Sequence, residues 1–117
     1  MMIIGLTGSI AMGKSEAARY LASLGFPVFD SDVEVHKLYD SPEGAALIKP
    51  YAKDAVTDRV DRSILTGLVQ KDPSLLTQLE KLVHAEIRLR RQRFLDHAKA
   101  TGSKAAILDI PLSLIHI

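Results

Sequence analysis

The chain has 117 residues, and its 15 Lys and Arg against 14 Asp and Glu give a formal net charge of +1. With 47% hydrophobic and 25% charged residues it has the balance of a folded globular domain, which excludes a disordered, collagen-like or coiled-coil chain. The near-neutral charge gives no reason to expect a nucleic-acid or membrane partner, and the lack of cysteine excludes disulfides, thiolate metal sites and a cysteine nucleophile.

The first predicted element is a strand at residues 2–7, a nearly continuous apolar run typical of strands buried on both faces of a parallel sheet. The run is too short to span a bilayer and lacks the basic leader of a secretory signal, so we expect a cytoplasmic protein. A loop of small residues follows from Gly8 to Gly13, and from Lys14 the apolar spacing becomes helical. Gly25 is placed to end this helix with a left-handed cap.

The second predicted strand covers residues 26–30. Ser31 and Glu34 have the spacing of a capping box, which predicts a helix that starts at Asp32 and runs towards Tyr39. The chain therefore returns from strand to helix within two residues of Asp30.

Most of the remaining chain is predicted to be helical. A short helix begins at Ser41-Pro42, residues 50–60 form an irregular connection, and residues 61–69 form another helix. A long helix runs from Asp72-Pro73 to about Ala100, in one piece or two, and a third strand covers residues 105–110. The apolar positions that share one face of the 61–69 helix are Ile64, Leu65, Leu68 and Val69. This alternation of strands and helices predicts an α/β fold with a parallel sheet and right-handed crossovers.

The segment Gly8–Ser15 fits the pattern G-x-x-x-x-G-K-[ST] and lies between a predicted strand and a predicted helix. Such a loop curls so that its backbone N–H groups, and those of the following helix, surround a polyphosphate. Lys14 supplies a charge for the β and γ phosphates, and Ser15 supplies a hydroxyl ligand for Mg²⁺. ATP and Mg²⁺ are the expected ligands, and the alternative is a glycine-containing turn that binds nothing.

Together with this loop, several later segments resemble the dephospho-CoA kinase family, and the resemblance runs over nearly the whole chain. The segments are Leu24–Asp32 with its D-x-D ending, Asp61-Arg62 with Leu65, Leu79-Glu80 followed by His84, and Asp109-Ile110-Pro111-Leu112.

The resemblance implies a P-loop NTPase-like parallel sheet with flanking helices and the spatial strand order second, third, first. It implies a nucleotide-binding core at residues 1–32 and 103–112 and a helical substrate-binding insertion at about 33–100. The family transfers the γ-phosphate of ATP to the 3′-hydroxyl of dephospho-CoA, a small-molecule partner, in the last step of coenzyme A synthesis. Family members continue well beyond this length, so we expect the sheet to be incomplete, its first strand to lie on an edge, and the chain alone to be inactive.

The resemblance also implies roles for individual residues. Asp32 and Lys14 are the expected catalytic residues, and Ser15 is the expected metal ligand. The expected nucleotide-binding residues are Gly8, Ala11, Met12, Gly13, Lys14, Ser15 and Glu16. The expected substrate contacts are Asp32, Arg62, His84 and Asp109.

Four of these assignments leave alternatives open. Asp30 competes with Asp32, and one of the two carboxylates is expected to cap the helix instead. Asp109 is either a carboxylate near Mg²⁺ or a strand-end turn residue. His84 is either a substrate contact or a structural helix residue. The arginines of the long helix form either a solvated face or an anion contact, and they are Arg88, Arg90, Arg91 and Arg93. The alternative functions are another P-loop small-molecule kinase and a non-catalytic nucleotide-binding fragment.

The chain departs from the family pattern at a few positions. Ser9 and Ala11 stand where the family often has glycine, and a positive φ at Ala11 would cost on the order of 1 kcal/mol. Glu16 places a negative charge where the family commonly has threonine, and Ala85 replaces the proline after His84. The segment after Leu112 is expected to be foreign to the family.

Overall fold

The computed structural model describes residues 1–7 and 11–110, with side chains described for residues 1–7 and 13–110. Gly8, Pro111, Leu112 and the segment after Leu112 lie outside the described residues, as do the side chains of Ala11 and Met12. The chain forms two compact units, Met1–Asp32 with Arg88–Ile117, and Val33–Ile87.

The described part of the chain contains three strands, five α-helices and one 3₁₀ turn at Lys53–Ala55. In chain order the elements are β1 (Met2–Leu6), α1 (Ala11–Ser23), β2 (Val28–Asp30), α2 (Ser31–Tyr39), α3 (Pro42–Ile48), α4 (Arg62–Lys71), α5 (Pro73–Ala100) and β3 (Ala105–Asp109). The predicted alternation of strand and helix is therefore confirmed.

The three described strands form a parallel sheet in the order β1-β3-β2, which is the spatial order that the resemblance implied. The central strand β3 is buried along its whole length, as expected for a parallel strand covered on both faces. Near the sheet the rings of Phe29 and Phe94 lie 5.5 Å apart in a tilted arrangement. Within the described residues β1 is an edge strand, and Met2 and Ile3 are 64% and 53% exposed.

The ends of the helices follow capping chemistry, with two corrections. α1 begins at Ala11, three residues before the predicted start at Lys14, so residues 11–13 are helical and not loop. α1 stops at Ser23, and Gly25 takes the predicted left-handed conformation with φ of 90°. α2 begins at Ser31, one residue earlier than predicted, because the side chain of Asp30 accepts a hydrogen bond from the Asp32 N–H at 3.0 Å. Asp30 is thus the residue that caps α2.

The core of the second unit is an apolar cluster formed by α3, α4, the start of α5 and the connection before α4. Leu65 is buried in it and Leu68 and Val69 are partly buried, as predicted, but Ile64 is 45% exposed. The helix period places Ile64 at the border of the apolar face of α4, and its side chain there is exposed to solvent. The buried residues of the cluster are Ile48, Ala52, Ala55, Val60, Leu65, Leu75 and Leu79.

The long helix α5 is one continuous element of 28 residues. Leu75, Leu79, Val83 and Ile87 are buried on it at the predicted helical spacing. Asp72 begins the helix by accepting a hydrogen bond from the Ser74 N–H at 3.1 Å. No helix in the described part of the chain is long and apolar enough to cross a membrane.

Candidate active site

The carboxyl ends of all three described strands meet at one edge of the sheet. In the parallel register Asp109 of β3 is the partner of Leu6 on one side and of Asp30 on the other. Two carboxylates, those of Asp109 and Asp30, therefore end their strands at this edge, and Thr7, the last described residue before the phosphate loop, follows Leu6. Ligands of open α/β sheets bind at such strand ends, which makes this edge the candidate active site.

Lys14 and Asp109 form an ion pair at this edge. The Nζ of Lys14 lies 2.9 Å from Oδ1 of Asp109, and the two side chains are only 12% and 9% exposed. Among the described residues no donor reaches this buried carboxylate oxygen in hydrogen-bond geometry, so its contact with Lys14 is an ion pair. Lys14 lies in the first turn of α1, and Asp109 is the last residue of β3. A lysine held here carries its charge where a polyphosphate on the loop would need it.

The two aspartates after β2 have different surroundings. Asp30 is partly buried, is engaged as the cap of α2 and ends the strand beside Asp109. Asp32 is exposed in the first turn of α2, and its backbone N–H rather than its side chain makes the capping bond. The geometry therefore leaves the carboxylate of Asp32 free to meet a ligand from solvent, while Asp30 has a structural task.

The first turn of α1 holds the remaining described residues of the phosphate loop. Gly13 and Glu16 are exposed and Ser15 is half-buried. A Cβ added to Gly13 would meet no heavy atom of the described residues within 4 Å outside the backbone of its own helix. Ala11 has a helical backbone, and no described residue other than glycine has a positive φ. The strain that an alanine would suffer at a left-handed position therefore does not arise at Ala11.

Oxygen atoms are the donors that this edge offers to a metal ion. The described residues contain no group of three or more His, Asp or Glu that could hold a metal by themselves. Mg²⁺ that arrives with a nucleotide needs only one or two protein oxygens, because phosphates and water complete its coordination. The Ser15 hydroxyl and the Asp109 carboxylate are of the right chemical type, so the residues present fit Mg²⁺ bound together with ATP.

Arg62, predicted to contact substrate, is the first residue of α4 in the second unit and has two partners. Its Nη1 lies 2.6 Å from Nδ1 of His36, and its guanidinium carbon lies 5.2 Å from the centre of the Tyr39 ring. Asp61 caps α4 by accepting a hydrogen bond from the Ile64 N–H at 3.1 Å, which fixes the backbone next to Arg62. Arg62 is thus an oriented side chain.

The structure places His84 half-buried on α5 in the second unit. Arg88, Arg90, Arg91 and Arg93 follow on the part of α5 that belongs to the first unit; Arg88 and Arg93 are exposed, and Arg90 and Arg91 are partly buried. The substrate roles of His84 and of these arginines stay predictions.

Sequence reasoning missed the partners of the two basic residues. Lys14 and Asp109 are 95 positions apart in the sequence, so no local sequence pattern could predict that they pair. His36 and Tyr39 stand three residues apart on α2, so their shared helix face was visible in the spacing. That Arg62 would lie on this face was not visible, because the connection between α3 and α4 has no regular period.

Comparisons with known proteins show the family to which the chain belongs. The sequence model of the family described as dephospho-CoA kinase matches residues 2–116. The matched range ends within the segment after Leu112, and the expectation that this segment is foreign to the family stays a prediction.

Curated relatives named dephospho-CoA kinase include those of Rhodopseudomonas palustris and Bartonella henselae. They are 40% and 41% identical to this chain over 96% and 97% of its length. The chain spans only about half the length of such relatives, 56% and 59% in these two.

Solved structures show the same fold. A dephospho-CoA kinase from Campylobacter jejuni superposes with a TM-score of 0.76 at 29% identity, covering 94% of this chain and 57% of that one. The Thermus thermophilus protein TT1252 superposes with a TM-score of 0.73 at 33% identity, covering 98% and 58%. Because the sequence model of the family matches residues 2–116 of its 117 residues, the chain belongs to the dephospho-CoA kinase family.

Proposed function

We propose that this chain carries the phosphate site and the acceptor-facing carboxylate of an enzyme that phosphorylates dephospho-CoA with ATP. The observation that carries the proposal is the buried pair of Lys14 and Asp109 at the sheet edge where β2 also ends, two residues before Asp32. Family membership supports the choice of dephospho-CoA as the acceptor among the possible alcohols.

In this proposal Lys14 binds the β and γ phosphates of ATP, helped by backbone N–H groups at the start of α1. Ser15 would hold Mg²⁺ that arrives with the phosphates, and the ion would supply charge neutralisation for the transferring group. Gly8, Ala11, Met12, Gly13 and Glu16 are the other residues proposed to line the nucleotide.

Asp32 orients the ribose 3′-hydroxyl and accepts its proton. The hydroxyl oxygen then forms a bond to the γ-phosphorus as the bond from that phosphorus to the β–γ bridging oxygen breaks. ADP is the leaving group. Because phosphoryl transfer depends mainly on positioning and charge, the main contribution of Asp32 is to hold the hydroxyl in line with the γ-phosphorus.

Arg62 and His84 are proposed to contact the anionic part of the acceptor, which is consistent with a substrate-binding role for residues 33–100. Asp109 is proposed to stay near the phosphates and the metal. The cytoplasmic location stays a prediction from the sequence. The absence of nucleic-acid and membrane partners also stays a prediction, made from composition.

The two aspartates allow a matched test of this mechanism in the complete product of the gene that encodes this chain. ADP release with ATP, Mg²⁺ and dephospho-CoA should fall by a factor of about 10² or more in Asp32→Asn, since a general base contributes that much. Asp30→Asn should stay within about threefold, because asparagine caps helices as well as aspartate does. The opposite order would move the role to Asp30, and no dephospho-CoA-dependent ADP release from a folded parent would refute the proposal.

A further inference from the structure

The guanidinium of Arg62 is held by two residues of a single helix face. Nη1 of Arg62 lies 2.6 Å from Nδ1 of His36, and the guanidinium carbon stands 5.2 Å from the Tyr39 ring centre. His36 and Tyr39 are three residues apart on α2, a spacing that puts both side chains on one face. One contact restrains the end of the guanidinium and the other restrains its plane.

The Tyr39 ring, against which this arginine lies, is held in place by its surroundings. It packs against the apolar cluster of the second unit, and its carbonyl accepts a hydrogen bond from the Val60 N–H at 2.9 Å. Burial raises the pKa of the Tyr39 phenol, an effect that the charge of Arg62 partly opposes. The phenol therefore remains neutral at ordinary pH, and its ring face is available to a cation.

The contact with His36 is a hydrogen bond in one tautomer of that ring. Arginine has only N–H donors, so Nδ1 of His36 is the acceptor when the ring proton is on Nε2. Arg62 donates one of its five guanidinium N–H groups to this bond, and the planar guanidinium carries four more. An exposed arginine that has been oriented before binding loses less side-chain entropy when an anion arrives.

We propose that His36 is a positioning residue, which holds Arg62 ready for a phosphate or diphosphate group of the acceptor. This inference rests on the proposed function, because the anion is taken to belong to a CoA-like substrate. Tyr39 supports the guanidinium from its face, and His36 fixes the direction in which its free N–H groups point.

Two variants separate this role from simple packing. In His36→Asn the amide oxygen stands where Nδ1 stood and still accepts from Arg62. In His36→Leu a methyl group of similar placement accepts nothing. Position 36 is an exposed helix site, so both variants should melt within about 3 °C of the parent.

The first measurement needs no ligand. Nitrogen NMR of the Arg62 guanidinium, assigned with Arg62→Lys, should show a restrained side chain in the parent and in His36→Asn. The same signal should show a mobile side chain in His36→Leu. Equal mobility in the parent and in His36→Leu would overturn the inference, whatever the substrate is.

The second measurement is calorimetric titration of the same three proteins with dephospho-CoA, and separately with Mg-ATP. The dissociation constant for dephospho-CoA should rise by up to about tenfold in His36→Leu, because Arg62 must then lose its side-chain freedom on binding, and should stay within about threefold in His36→Asn. Mg-ATP affinity should not change. Parent-like dephospho-CoA binding by His36→Leu would overturn the positioning role alone, whereas no dephospho-CoA binding by the restrained parent would refute the proposed function and with it this inference.

Discussion

At the scale of single residues, the candidate site is organised by charges that are already paired. Lys14 and Asp109 face each other across 2.9 Å with little exposure to water. Separating two buried charges leaves each one poorly solvated, so each partner stabilises the other's position. Lys14 is thereby kept at the sheet edge with its charge balanced.

This pairing can be measured by a double-mutant cycle in urea unfolding. The cycle of Lys14→Met with Asp109→Asn should give a coupling free energy of about 1–3 kcal/mol, because each single variant strands a buried charge. The matched control is the pair of Lys37 and Glu34, which stand 3.5 Å apart and are 64% and 21% exposed. Its cycle of Lys37→Met with Glu34→Gln should couple by less than about 0.5 kcal/mol. Equal coupling in the two cycles would show that burial of the first pair has no energetic consequence.

The residue roles that could be predicted from the sequence are those carried by local chemistry. The motif around Lys14 and the capping ability of Asp30 depend on neighbours in the chain, and the cap was confirmed. The partners of Lys14 and Arg62 come from remote elements, so no spacing rule could indicate them.

At the scale of elements, α2 and α3 approach each other through a glycine. Ser41 links them, since its hydroxyl donates to the Leu38 carbonyl at 2.8 Å and accepts from the Gly44 N–H at 3.1 Å. A Cβ added to Gly44 would overlap the backbone carbonyl group of Leu38. The first turn of α3 can therefore sit against the end of α2 only while residue 44 has no side chain.

Two alanine substitutions compare this glycine with an unconstrained one. Gly44→Ala should lower the free energy of unfolding by about 2 kcal/mol or more, because backbone atoms must move to admit the methyl group. Gly67 lies inside α4 with nothing within 4 Å of an added Cβ, so Gly67→Ala should raise stability by up to about 1 kcal/mol. Thermal unfolding of both variants beside the parent tests the pair. A Gly44→Ala variant as stable as Gly67→Ala would contradict the close approach.

The elements themselves were largely predictable, because hydrophobic period and capping residues act locally. The errors lie where local pattern gives no decision. The start of α2 moved by one residue because Asp30, rather than Ser31, supplies the cap. Ile64 fits the apolar face of α4 by spacing, yet only the packing of the cluster decides how wide that face is.

At the scale of the molecule, strand order came from the family resemblance, and the structure confirms it as β1-β3-β2. Composition and alternation predicted a parallel α/β sheet, but several strand orders satisfy that pattern equally well. The phosphate loop follows β1, which lies on the edge of the described sheet with two exposed apolar residues, Met2 and Ile3.

The central claim is that Lys14, at the first turn of α1, binds the phosphates of a nucleotide. Titration of the chain with a fluorescent ATP analogue in the presence of Mg²⁺ tests it most directly, with Lys14→Met and the double variant Lys14→Met/Asp109→Asn as comparisons. The double variant removes both buried charges and so guards against loss of fold. Saturable binding by the parent, weakened about tenfold or more in both folded variants, is the predicted result. Binding that does not saturate in a folded parent, or that is unchanged without Lys14, would contradict the account.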